Sequence, residues 1–202
     1  MPNPIRIRGD LGLLPDALAG APRGEAELVF DEQHADRVVR EGMLRARVSL
    51  DIATADFKAM LAPTASGERD APSIVEHFVR LADRGVEVRV LHAGVPSGPA
   101  LRELKQAATP ERGLTIRRCP RLHAKAVVVD ARWLYLGSAN LTGAGLGFKG
   151  PTRRNFEWGV VSRSSTLIDA VLGRFNTLWE GDHCAGCGRR DVCPVPLEEP
   201  RL

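Results

Sequence analysis

Leu122-His123-Ala124-Lys125-Ala126-Val127-Val128-Val129-Asp130, followed by Trp133-Leu134-Tyr135-Leu136-Gly137-Ser138-Ala139-Asn140, carries the strongest order in the chain. The β-branched run predicts a strand over residues 122–130, with 133–136 as its partner after a short turn. On a strand, positions i and i+2 share a face, so His123 and Lys125 project together. Asp130 lies an odd number of residues from His123, on the opposite face of a regular strand, and a structural role is expected of it. Gly137 opens a tight turn that presents Ser138 and Asn140. Taken singly, each feature is ordinary: a histidine satisfied in a core, a lysine with a snorkelling head, a polar turn. Their joint spacing, H-x-K-x4-D-x6-G-S-x-N, arises by chance in roughly one in 10⁵ to 10⁶ chains of this length.

Outward from this stretch the chain alternates helices and strands. Helix spacing of Val38, Val39, Met43 and Leu44 predicts a helix over 33–46, and the alternation of Val48, Leu50 and Ile52 a strand over 47–53. A polar loop over 61–72 leads to Ser73, a capping residue for a helix that runs to Asp83 and ends at Gly85. Strands are expected at 86–91, 114–117 and 156–162, and helices at 100–108 and 167–179. A Gly-rich loop covers 143–151. The pattern implies an α/β fold, a mixed β-sheet flanked by helices on both faces. Residues 1–24, rich in Pro and Gly, read as an arm, 25–180 as the domain that carries the motif, and 181–202 as a Cys-rich tail packing on it.

With 202 residues, 44% of them apolar and 26% charged, the chain can build one substantial core. Its longest apolar runs are strand-sized, and Met1-Pro2-Asn3-Pro4 does not resemble a secretory signal, so a cytoplasmic protein without membrane attachment is expected. Apart from Lys58, Lys105, Lys125 and Lys149, the twenty-eight basic residues are all Arg, which forks onto phosphate. Arg112, Arg117, Arg118 and Arg121 precede the motif, while Lys149, Arg153 and Arg154 follow it. A solvated face is the plain explanation of either group alone. Together they bracket the motif, which favours a phosphate-lined groove with Arg118, Arg121, Lys149, Arg153 and Arg154 as nucleic-acid contacts.

The motif resembles the signature of the phospholipase D superfamily, and Asn155-Phe156-Glu157 is similar to that family's trailing Asn-x-Glu. The resemblance implies metal-independent phosphodiester chemistry. His123 would be the nucleophile that forms a phosphohistidine. Lys125 and Asn140 would hold the non-bridging oxygens, with Ser138 in support. Glu157 would fix the His123 tautomer and support its charge. Enzymes of this family use two such motifs, one histidine attacking and the other protonating the leaving oxygen. No second motif is found: His92-Ala93-Gly94 lacks the lysine, and His34, His77 and His183 lack the whole pattern. The expectation is a homodimer with one shared site on a two-fold axis. Single-motif bacterial endonucleases of the superfamily resemble this arrangement, and small members also occur in bacterial anti-phage defence systems, which leaves room for a larger defence or helicase complex. Cleavage of DNA or RNA is therefore expected. A phospholipase or cardiolipin-synthase-like enzyme, or a nucleic-acid-binding subunit of a larger complex, remains the alternative.

Cys184, Cys187 and Cys193 form C-x2-C-x5-C, and Cys119 completes a set of four. In a reducing compartment, such clustering favours metal ligation over disulfides. A structural zinc or a [4Fe–4S] cluster would fit four thiolates, with His183 as a geometrically awkward fourth ligand in place of one cysteine. No cofactor is expected for catalysis itself.

Overall fold

The computed structural model describes residues 26–64, 70–193 and 195–198. The expected arm at 1–24 and residues 65–69 of the expected loop lie outside the described residues. A seven-stranded sheet is built from β1 (Ala26–Phe30), β2 (Ser49–Thr54), β3 (Glu87–His92), β4 (Leu114–Arg118), β5 (Ala126–Val129), β6 (Trp133–Gly137) and β7 (Trp158–Ser162), in the order β1-β7-β6-β5-β2-β3-β4. β2, β3 and β4 run parallel, while β2–β5–β6–β7–β1 pair antiparallel. The sheet is mixed, as the alternation of elements implies.

α1 (Ile74–Ala82) starts where Ser73 Oγ accepts the Glu76 N–H at 3.0 Å, and ends before Gly85 in the left-handed region (φ 86°). Its Ile74, Phe78 and Leu81 pack with Leu104 of α2 (Gly98–Ala107) against Leu50, Ile52, Val88, Val90, Val127 and Val129. Each such fully buried side chain contributes about 1.5–3 kcal/mol before entropy is counted. α3 (Ser165–Trp179) covers the opposite face, Ile168 meeting Val128 and Leu134 while Phe175 and Trp179 meet Ala53, Leu91 and Ala126. Beneath α3, Arg89 pairs with the buried Asp51 at 2.5 Å and stacks on Phe175 and Trp179.

Three expectations are corrected. The segment at 33–46 is not one α-helix but a π-turn of helix at Ala35–Arg40 and a 3₁₀ turn at Met43–Arg45. Gly42 separates them because the Trp133 ring and the Val38 carbonyl fill the space a Cβ would need. β5 begins at Ala126, so His123 and Lys125 sit on the lead-in to the strand rather than within it. β1 was not anticipated, because an edge strand with one buried side chain, Val29, shows no alternation. Among the described residues no helix is long and apolar enough to cross a membrane.

Candidate active site

His123 is exposed and Lys125 half-buried just ahead of β5, at an end of the middle strand of the sheet. Lys125 Nζ lies 3.3 Å from Nε2 and 3.4 Å from Nδ1 of His123, and donates to the His123 carbonyl at 3.1 Å. The ammonium is thus nearly equidistant from the two ring nitrogens, and its firmest acceptor is the His123 carbonyl. The Gly137 N–H donates to the Lys125 carbonyl at 3.2 Å. That bond extends the β5–β6 ladder one step and fastens the His123–Lys125 segment to the turn bearing Asn140.

Asn140 is oriented from β2 and the loop after it. Its Oδ1 accepts the Asp56 N–H at 3.0 Å, and the Thr54 hydroxyl, which donates to the Asp56 carbonyl at 2.8 Å, stands 3.4 Å from it. Thr54 Oγ1 also accepts the Leu141 N–H at 3.0 Å. With the amide oxygen occupied, the Nδ2 donors are the end of Asn140 left for a ligand. Thr54 and Asp56 were not anticipated, since their role comes from a pairing more than eighty residues apart in sequence.

Glu157 is buried. One carboxylate oxygen accepts the Ser138 hydroxyl, and the other accepts Asn155 Nδ2 at 2.9 Å. Its backbone is clamped to Asp31, which accepts the Glu157 N–H on Oδ1 at 2.8 Å and donates its own N–H to the Glu157 carbonyl at 2.8 Å. Among the described residues Glu157 takes no hydrogen bond from His123 of its own chain. Within the chain its carboxylate is held instead in a Ser138–Glu157–Asn155 brace across the β6–β7 end.

Under this turn lies a second network that sequence reading missed. The Ala139 N–H donates to Tyr135 Oη at 3.3 Å; Tyr135 Oη and His34 Nε2 are 2.9 Å apart, and His34 Nδ1 is 2.8 Å from the Asp31 carbonyl. A carbonyl accepts, so Nδ1 carries the proton and Nε2 accepts the tyrosine O–H. Burial lowers the His34 pKa against the Asp31 carbonyl bond and nearby acids that raise it, in keeping with a neutral ring. Burial likewise raises the Tyr135 phenol. The available signal was the chain's one tyrosine at an inward strand position, where a buried hydroxyl must find partners.

Asp130 stands apart from the reacting face. It accepts the N–H groups of Arg47, Val48 and Ser49 at 2.7 to 3.1 Å and so anchors the start of β2. Of the basic residues, Arg121, Lys149 and Arg153 are exposed. Arg118 donates to the Ala93 carbonyl at 2.9 Å, and Arg154 pairs with Glu32 at 2.9 Å. These two are held by the protein itself.

The tail returns to the segment before His123. Leu197 packs beside Cys119 on the Phe175–Trp179 cluster, and Arg189 donates to the Pro120 carbonyl at 3.1 Å. Cys187 is drawn below the usual thiol range by the Arg189 N–H first and the Arg121 guanidinium second. Arg121 also feels Cys119. Among the described residues, however, no three His, Cys, Asp or Glu side chains are placed to hold a metal ion. The Cys187 sulfur takes its hydrogen bonds from the Arg189 N–H and the Arg121 guanidinium.

A family model described as cardiolipin synthase, PLD-like domain matches residues 39–179. Nuc, a phospholipase D family member from Salmonella typhimurium, is 21% identical over 77% of this chain and 93% of its own, with a TM-score of 0.53. NucT from Helicobacter pylori is 16% identical over 77% of this chain and 97% of its own, with a TM-score of 0.56. TrmBL2, an archaeal chromatin protein with a novel mode of DNA binding, is 16% identical over 79% of this chain and 54% of its own, with a TM-score of 0.50. No curated protein sequence matches the chain. At such identities the solved structures speak for the fold, while the family model spans well over half of the chain and takes in His123, Lys125, Asn140 and Glu157. On that match the chain belongs to the phospholipase-D-like family.

Proposed function

We propose that this chain is a metal-independent phosphodiesterase that cleaves DNA or RNA through a phosphohistidine, in a site shared by two copies. The observation that carries the reading is Asn140 with its oxygen tied to Asp56 and its Nδ2 donors left free, on the turn fastened to the Lys125 carbonyl. Donors held in advance are what a pentavalent phosphorus, with its growing oxygen charge, requires. A His123 ring nitrogen attacks phosphorus; the N–P bond forms as the P–O bond breaks, and the partner subunit's His123 protonates the leaving oxygen. Water then attacks the phosphohistidine, its O–P bond forming as the N–P bond breaks to free His123, and its proton passes to that second histidine. Lys125 neutralises phosphate charge throughout. The brace on Glu157 keeps Ser138 and the turn in place.

Nucleic acid is favoured over lipid by the exposed Arg121, Lys149 and Arg153 and by the likeness to a chromatin protein that binds DNA. The description of the family model favours the lipid alternative. Wild type and His123→Ala are to be incubated with single-stranded DNA, duplex DNA, RNA and phospholipid vesicles in EDTA. Cleavage of a nucleic acid by wild type, lost by at least about 10³-fold in the variant, is expected. Activity surviving in His123→Ala, or a strict need for Mg²⁺, contradicts the mechanism, and cleavage of phospholipid alone selects the other substrate.

A structural metal at Cys119, Cys184, Cys187 and Cys193 is a separate proposal, supported by the C-x2-C-x5-C spacing and by the return of the tail to the neighbour of Cys119, where Arg189 donates to the Pro120 carbonyl. Near-stoichiometric zinc or iron in anaerobically purified protein would uphold it, and metal-free protein of full stability would end it.

A further inference from the structure

α3 leaves part of its own sheet face bare. Leu28 pairs with Val160 and Phe30 with Trp158 across β1 and β7, and Leu136 of β6 pairs with Val160. Directly paired residues on antiparallel strands point to one face, so Leu28, Phe30, Leu136, Trp158 and Val160 form one surface. The next row along these strands, at Leu134 and Val128, is covered by Ile168 of α3. The row in question is not: Trp158 is 63% exposed, Leu28 61%, Phe30 47% and Leu136 37%, and Phe156 just before β7 is 86% exposed.

An aromatic side chain presents about 150–250 Å². Three of them with two leucines therefore expose several hundred Å² of apolar surface, more than monomers usually leave uncovered. That is close to one side of a standard interface of about 800 Å² per partner. The surface also adjoins the site. Phe156 and Trp158 flank Glu157, and Ser138 accepts the Trp158 N–H on Oγ at 3.2 Å while its own N–H donates to the Trp158 carbonyl at 3.0 Å.

We propose that this face, centred on Phe156 and Trp158, is where a second copy of the chain docks. It rests on the shared-site reading above, which requires the partner's histidine to arrive beside this one. A two-fold axis sets the same patch on itself, so each aromatic is used twice and the apolar face of one protomer meets an identical face. The contact then borders the turn that holds Asn140, which ties completion of the site to association.

The test uses the full chain, by sedimentation equilibrium together with hydrolysis of bis(p-nitrophenyl) phosphate in EDTA. Wild type is expected to be dimeric. Phe156→Lys/Trp158→Lys should raise the dimer dissociation constant by at least about 100-fold, the loss of two anchor-sized contacts. Its far-ultraviolet circular dichroism and melting transition should stay unchanged. Its activity should fall on dilution and recover at high protein concentration, which a merely structural defect would not do. With p-benzoylphenylalanine at position 156, irradiation should join two chains, the linked peptide coming from β1 or β7 of the second copy. This arm needs no charge substitution, so misfolding of the double variant would not blunt it. A double variant as dimeric and active as wild type overturns the surface while leaving the shared site standing. Linkage to residues 1–24 of the same chain, or binding of anionic phospholipid vesicles through Trp158, also overturns it. A wild type that is active as a monomer defeats both the surface and the shared site.

Discussion

Asp130 occupies the left-handed region at φ 52°, and Ala131 follows at φ 49°, so the β5–β6 turn is built from two residues that ordinarily avoid it. Its carboxylate offsets that cost by taking three N–H groups at the start of β2. Burial opposes the charge, yet the bonds from Ser49, Val48 and Arg47 outweigh it, and the Asp130 pKa is lowered on balance. A lowered folded value means the stabilisation is complete above the unfolded carboxylate value of about 3.9 and is lost as pH falls through the folded one. Asp130→Asn keeps tolerance of the left-handed backbone but loses the charge. It should cost about 1–3 kcal/mol in urea denaturation at pH 7, and less below pH 4. Phosphodiester hydrolysis per folded molecule should not change, because Asp130 serves β2 and not the phosphate. A large fall in turnover at full folding would place it in the chemistry instead.

β6 and β7 meet at Gly137 paired with Gly159, and the Tyr135 ring lies in the space those two residues leave. A Cβ at Gly159 would stand 2.4 Å from the ring, and one at Gly137 2.2 Å from the hydroxyl. The pair of glycines thus lets the tyrosine reach His34 and the Ala139 N–H, which brings the floor of the Gly137–Asn140 turn into the core. Gly159→Ala should destabilise the protein by about 1–3 kcal/mol through overpacking. It should also lower kcat more than KM, since the displaced ring shifts the Ala139–Asn140 backbone. Thermal melts and steady-state kinetics read the two effects separately. Tyr135→Phe keeps the ring and removes only the hydroxyl, so its stability loss should be about 1–3 kcal/mol from an unsatisfied Ala139 N–H and His34 nitrogen. If Tyr135→Phe is as stable and active as wild type, the network beneath the turn is packing alone.

For the whole molecule, the proposed shared site makes catalysis a property of the pair. If random exchange of subunits forms one composite site per dimer, adding an equal amount of His123→Ala should halve wild-type activity, since only about a quarter of dimers then carry both histidines. An unchanged rate would mean each chain works alone. The sequence by itself determined the α/β alternation, the His123–Lys125 and Gly137–Asn140 motif and the separateness of Asp130, because strand period and motif spacing are local properties of the chain. It could not show that β5 starts only at Ala126, that Gly42 and the Trp133 ring break the 33–46 helix, or that β1 completes the sheet. Those outcomes depend on which distant residues come to fill a space. The same holds at the site: His34, Thr54, Asp56 and Asp31 acquire their places through hydrogen bonds across the sheet, and Arg118 and Arg154 are held by Ala93 and Glu32. Tertiary structure alone decided how Asn140 is aimed, because its amide oxygen is claimed by a backbone N–H that no spacing in the sequence could reveal.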